Sequence, residues 1–126
     1  MRTGLLVVAL LLAPAAAQAA PESALDRCLA SEAGATTIGQ IQCIGDELKV
    51  QDARLNRNYA KAMKDLTPEQ KAKLRAAQRA WLAFKDADCR SLQDDAWGTL
   101  SRVSANMCVL ERTIERADEL ASYPDR

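Results

Sequence analysis

The chain contains no histidine, which removes Ser–His and Cys–His nucleophilic pairs and every imidazole–metal site at once. Aromatics make up only 4% of it, confined to Tyr59, Trp81, Phe84, Trp97 and Tyr123. That is too few for a platform on which single-stranded nucleic acid stacks. Neither sign of charge is in excess, with 17 Lys and Arg against 17 Asp and Glu. The clustered positive surface that a nucleic-acid binder needs is therefore not implied. Beyond residue 20 no window alternates apolar and polar residues, so strands are not expected. A length of 126 residues suits one domain and leaves little room for two independent cores.

What is present begins with a leader-like pattern. Arg2 precedes an apolar run from Leu5 to Ala13, Pro14 breaks it, and Ala17-Gln18-Ala19 has the small-x-small form of a cleavage site. The run is too short to span a bilayer stably, so residues 1–19 read as a signal peptide and 20–126 as a single exported domain. The expected location is periplasmic or secreted, with no membrane span in the mature form. Export changes how the cysteines read. Cys28, Cys43, Cys89 and Cys108 form an even set without C-x-x-C spacing, which favours two disulfides over a metal site or a catalytic thiol.

Helical periodicity runs through the rest. A short helix fits Glu22 to about Ser31, followed by a loop through Gly34. Thr37 and Gln40 match a capping box. Ile41, Ile44, Leu48, Leu55, Tyr59, Ala62 and Leu66 then form the stripe of a helix of roughly 28 residues, about 42 Å long. Thr67-Pro68-Glu69-Gln70 starts a third helix with a capping residue, proline at the first helical position and a second box. Leu74, Ala77, Trp81, Phe84 and Asp88 carry that helix to about Gln93. Asp94 to Gly98 breaks the pattern, with Thr99 or Ser101 as the next cap. Leu100, Val103, Met107, Leu110, Ile114, Ala117 and Ala121 make the last stripe, which Pro124 ends. Short links between long amphipathic helices make antiparallel neighbours. The expected fold is all-α, a small antiparallel bundle of three long helices plus a short N-terminal one, stapled by two disulfides. Helix heights match for Cys28 with Cys43 and for Cys89 with Cys108, but also for Cys43 with Cys89, so height alone leaves the pairing open. The first arrangement is favoured because each bridge closes a short loop between consecutive helices.

Two groups of polar residues stand out. The stripe of the second helix is interrupted at Gln51 and Asp52, with Asn56 one turn on, while Gln78, Arg79 and Lys85 flank Trp81 on the third. A hairpin turning near residue 67 sets Asn56 opposite Gln78 and Asp52 near Lys85, so a hydrogen-bonded polar layer between these helices is expected. Lys85 or Arg79 is the natural cation for Asp52, and Trp81 offers its indole N–H. Such a layer sets helix register more readily than it catalyses, because Asp52 has no histidine, nucleophile or second placed carboxylate beside it. The second group is the segment Asp86 to Gly98, which holds Asp86, Asp88, Asp94, Asp95 and Trp97, and it reads either as a contact surface or as a solvated acidic edge with Trp97 plugging the end of the bundle. Its acids lack the spacing and glycine of a calcium loop, so no metal or other cofactor is expected.

The ordered set Asp52-x-x-Leu55-Asn56-x-x-Tyr59, then Gln78-Arg79-x-Trp81-Leu82-x-Phe84-Lys85-Asp86-x-x-Cys89, then Cys108 and Thr113-x-x-Arg116-x-x-x-Leu120, resembles the LprI-type lysozyme-inhibitor domain family. The likeness runs from Cys28 to Tyr123. Lys85 stands where the family usually has arginine, and Trp97-Gly98-Thr99 where it has a glycine-glycine-small turn. The resemblance implies a helical, disulfide-bonded bacterial envelope or secreted protein that inhibits lysozyme and is not an enzyme. On that reading the partner is a c-type lysozyme or another secreted protein, the enzyme's cleft is occluded, and Asp86, Asp88, Asp94, Asp95 and Trp97 form the candidate contact surface. The competing expectation is an envelope structural or stress protein that binds an endogenous partner or the cell wall.

Overall fold

The computed structural model describes residues 21–125, so the leader pattern over residues 1–19 lies outside the described residues. Four α-helices follow in order: α1 over Ala24–Ala30, α2 over Thr37–Lys64, α3 over Pro68–Arg90 and α4 over Leu100–Ala121. Short 3-10 turns at Glu32–Ala35 and Asp95–Trp97 complete the path, and there is no strand among the described residues. No helix among them is long and apolar enough to cross a membrane.

Local chemistry accounts for most of the boundaries. Ser23 caps α1 by accepting the Asp26 N–H at 3.0 Å, and the Asp26 carboxylate accepts the Ser23 N–H in return. This starts the helix at Ala24 instead of Glu22. Thr67 and Gln70 form the expected reciprocal pair at the head of α3, with Pro68 at the first helical position. The cap of α2 differs from expectation. Thr36, extended as the chain leaves the 3-10 turn, accepts the Gly39 N–H at 3.0 Å. Gln40 does not close a box with Thr37 but reaches back to the Gly34 carbonyl at 3.0 Å. Gly39 is needed there, because a Cβ would fall onto the Ala33 carbonyl oxygen. Helix α3 ends at Arg90, three residues before the expected Gln93, where Ser91 closes the last turn through its N–H and hydroxyl. Thr99 makes no side-chain cap for α4, and the Ser101 hydroxyl instead donates to the carbonyls of Asp94 and Gly98.

The long helices run up, down and up, so that α3 is antiparallel to both neighbours and α4 is the shared one. Along α2 and α4, which run in parallel, Arg54 donates to the Ile114 carbonyl and to Asp118, and Asn58 donates to the Ala117 carbonyl at 2.8 Å. The core gathers Leu55, Leu74, Ala117 and Leu120, with Tyr59, Met63, Leu66 and Trp81 against them. Each fully buried leucine contributes about 1.5–3 kcal/mol of apolar transfer. Ile44 and Leu110 extend the burial toward the other end. The disulfides are Cys28–Cys43 and Cys89–Cys108, with Cα atoms 5.7 and 5.4 Å apart. Both lie at the end away from the α2–α3 hairpin.

The last stripe is wider than its pattern suggested. Because α4 faces both α2 and α3, it also buries Ser101, Ala105, Thr113, Arg116 and Leu120, and the Thr113 hydroxyl is satisfied by the Val109 carbonyl at 2.7 Å. The third stripe is narrower, since α3 meets only α4 closely. Only Leu74 and Cys89 are buried along it, and Phe84 stays more than half exposed with the Arg112 guanidinium 5.8 Å from its ring centre. Leu100, expected in the core, is also exposed because it lies at the open end of α4.

Candidate functional site

Two regions hold the residues singled out from the sequence. The first is the link between α3 and α4 with the end of α3 that leads into it. Asp94 sits just before the 3-10 turn, and its carboxylate accepts the Ala96 N–H at 2.8 Å, so this acid shapes the link as well as charging it. Gly98 leaves the turn at φ 77°, a backbone region where a side chain is strained. Trp97, the last residue of that turn, is 63% exposed and does not plug the end of the bundle. Asp95 is open to solvent and 3.5 Å from Arg102. The turn is tied to the scaffold by Ser101 and, below it, by the Cys89–Cys108 bridge.

The other two acids of this group sit lower on α3. Asp86 is exposed and only loosely paired, with Lys85 at 4.0 Å. Asp88 is engaged by Arg112, which donates to it from Nε at 3.2 Å and from a terminal nitrogen at 3.1 Å. Hydrogen bonds to Glu115 and then to Asp88 push the Arg112 guanidinium further above its already high value. Asp88 thus offers a partner less charge than the sequence suggests. Its carboxylate comes near the sulfurs of Cys89 and Cys108, but these are bonded to each other and provide no thiolate for an ion.

The second region is a groove between α2 and α3. It contains Asp52 and Asn56 on one wall and Gln78, Arg79 and Trp81 on the other. The polar residues do converge, but across an open cleft and not in a closed layer. Asp52 is exposed, and its hydrogen bond comes from Asn56 on the same helix at 3.2 Å, not from Lys85 or Arg79. Gln51 bonds Glu47 and Arg54, again along α2. Lys85 places its ammonium 5.1 Å from the centre of the Trp81 ring. The bond that crosses between helices from this set runs from Arg116 Nε on α4 to Gln78 Oε1, at 3.0 Å.

Arg116 was visible in the sequence only as part of the resemblance. It is 5% exposed, lies 5.9 Å from the centre of the Trp81 ring, and donates to Glu119 at 2.6 Å. Its second terminal nitrogen, Nη2, is buried with no hydrogen-bond partner. The signal that could have found it is positional: Thr113, Arg116, Ala117 and Leu120 follow core spacing, and a cation on such a seam is expensive unless it is paired.

Comparison with protein-family models matches residues 28–120 to the family described as lysozyme inhibitor LprI. Comparison with curated proteins and with solved structures finds no match.

Proposed function

We propose, since the chain belongs to the LprI family of lysozyme inhibitors, that it is an exported, non-enzymatic inhibitor of c-type lysozyme that presents the α3–α4 link to the enzyme's cleft. The observation that carries this reading is the link itself. An exposed tryptophan, flanked by Asp94 and Asp95, stands on a turn held by a disulfide, a glycine and a double serine bond. A preorganised aromatic loses little conformational freedom on binding and is the side chain most often found at interface hot spots. Acidic groups around it complement basic enzymes such as the animal-type lysozymes and speed encounter. Asp94 keeps its charge while accepting the Ala96 N–H, and Asp86 and Asp95 are exposed with cations only at 4.0 and 3.5 Å. These three contribute more to that field than Asp88, which Arg112 holds by two bonds.

Inhibition here is steric and needs no chemistry. Asp52 has a neutral amide as its hydrogen-bonding neighbour, and the sequence has no histidine to act as a base, which supports a binding role. Export follows from the leader pattern at residues 1–19, and it agrees with two disulfides in a small domain. The test is lysis of a bacterial suspension by a c-type lysozyme, titrated with wild-type protein, Trp97→Ala and Asp86→Asn/Asp95→Asn. Trp97→Ala should weaken inhibition by at least ~30-fold, the scale of a hot-spot loss. The double asparagine variant should mainly slow association and flatten the salt dependence. Equal inhibition by all three proteins would remove the link from the contact surface.

A further inference from the structure

We infer that the groove between α2 and α3 is a second binding site, one that takes a small carboxylate-bearing polyhydroxyl ligand about the size of a single sugar-acid ring.

The groove follows from how the helices pack. Helices α2 and α3 share a short link, yet each is held to α4 by its own bonds, Arg54 and Asn58 on one side and Gln78 and Cys89 on the other. The space left between them has a volume of about 320 Å³ and is bordered by residues 52–59 and 75–82. Seven residues of rise make it about 10 Å long, enough for one or two rings but not for a docked helix of several turns. Leu55 and Leu82 give it an apolar lining.

Its polar atoms are unbalanced toward donation. Arg75 and Arg79 make no ion pair among the described residues, and both are exposed on the α3 wall. Tyr59 and Trp81 line the same space, and neither side chain makes a hydrogen bond among the described residues. Gln78 is oriented from below. Its Oε1 is taken by the buried Arg116, so its amide N–H₂ is turned away from that guanidinium, and the side chain lines the groove. Arg116, ion-paired with Glu119, serves beneath the floor to fix the orientation of that amide. Two guanidiniums, an indole, a phenol and an oriented amide call for an acceptor-rich anion.

The opposite wall narrows the class. Asp52 and the free carbonyl of Asn56 accept protons from hydroxyl or amide groups and repel a second negative charge. A ligand with one carboxylate at the arginine wall and hydroxyls toward Asp52 satisfies both sides, whereas a phosphate dianion satisfies only one. The rings of Trp81 and Tyr59 fit the C–H face or edge of such a ring.

The test is a titration of the oxidised, ¹⁵N-labelled protein with D-glucuronate, D-glucose and inorganic phosphate in parallel. Glucuronate should move the Trp81 indole resonance saturably, at concentrations at least tenfold below those needed for glucose or phosphate. The Trp97 indole, at the other end of the bundle, should not respond and serves as an internal control. Arg75→Gln/Arg79→Gln should weaken the response at least tenfold and Asp52→Asn several-fold, with an unchanged helical spectrum because these side chains are exposed. A Trp81 response equal for all three probes, a response shared with Trp97, or retention of glucuronate binding in the double arginine variant would overturn the inference. Lysozyme inhibition by that variant should stay at the wild-type level, so this site and the proposed docking link can fail independently.

Discussion

Removing the Cys89–Cys108 bridge should destabilise the protein far more than removing Cys28–Cys43, although the two close loops of similar length. In the loop-entropy account a crosslink 19 residues apart restrains the unfolded chain by ~3.2 kcal/mol, and one 15 residues apart by ~3 kcal/mol. Loop length alone therefore predicts nearly equal losses. Packing separates them. Cys43 and Cys89 are equally buried, but Cys89 is, with Leu74, one of only two buried residues on α3, so its bridge fastens a long helix with few other ties to α4. Helix α1 buries no residue, so without its bridge it can fray while α2, α3 and α4 remain folded. A native state that loses the same order as the unfolded state gains no net penalty. Cys89→Ala/Cys108→Ala should therefore lower the main unfolding free energy by ~3 kcal/mol or more, a melting shift of ~12–24 °C for a domain of this size. Cys28→Ala/Cys43→Ala should change that transition by less than ~1 kcal/mol while lowering helicity slightly. Thermal and urea unfolding followed by far-ultraviolet circular dichroism reads both. Equal shifts for the two pairs, or a shift below ~4 °C for Cys89→Ala/Cys108→Ala, would refute the reasoning from packing.

Three further outcomes are expected. Gly39→Ala should cost ~1–3 kcal/mol, because its Cβ meets the Ala33 carbonyl, whereas Gly45→Ala, with open space around it in the interior of α2, should gain ~0.5–1 kcal/mol; paired urea midpoints check the opposite signs. Arg116→Ala should lose ~2–4 kcal/mol by emptying the space beside Trp81 and stranding Gln78, while Arg116→Met, which fills the space without a buried charge, should stay within ~1.5 kcal/mol of wild type. The Asp26 carboxyl is held below its ordinary value of 3.8 by the Ser23 side chain first and the Ser23 backbone second. Its folded-state pKa is thus depressed, so its support of α1 is present above 3.8 and is lost as pH falls through the lower folded value. Amide exchange at the start of α1 should accelerate over that acid range, and Ser23→Ala should reduce the pH dependence, leaving the part carried by the residue-23 N–H and Arg27.

The parts of this fold that were legible in the sequence are those written in local chemistry. Thr67, Pro68 and Gln70 specify a helix start by themselves, and that start is where the structure has it. The disulfide pairing was favoured from loop length, and both favoured bridges are present. Less legible was whatever depends on which neighbour an apolar face meets. Periodicity marks Phe84 and Leu100 as apolar-face residues, but not that α3 has only α4 to pack against closely or that α4 opens at its first turn. For the same reason Asp52 and Asn56, matched in height with Gln78 and Lys85, line a cleft instead of meeting them. The α2 cap moved to Thr36 because the preceding 3-10 turn determines which residue is extended, and no hydroxyl pattern encodes that. Asp88 looked like surface charge because its partner Arg112 lies 24 residues away on another helix. Trp97 reads as a plug or an anchor from sequence, and it is its exposure in the folded link that distinguishes the two.

The most direct measurement is the inhibition constant of the oxidised protein against a c-type lysozyme at two ionic strengths. The account predicts a nanomolar-to-micromolar constant that rises with salt and with Trp97→Ala. An unhindered enzyme at large molar excess of the folded, disulfide-bonded protein would contradict it.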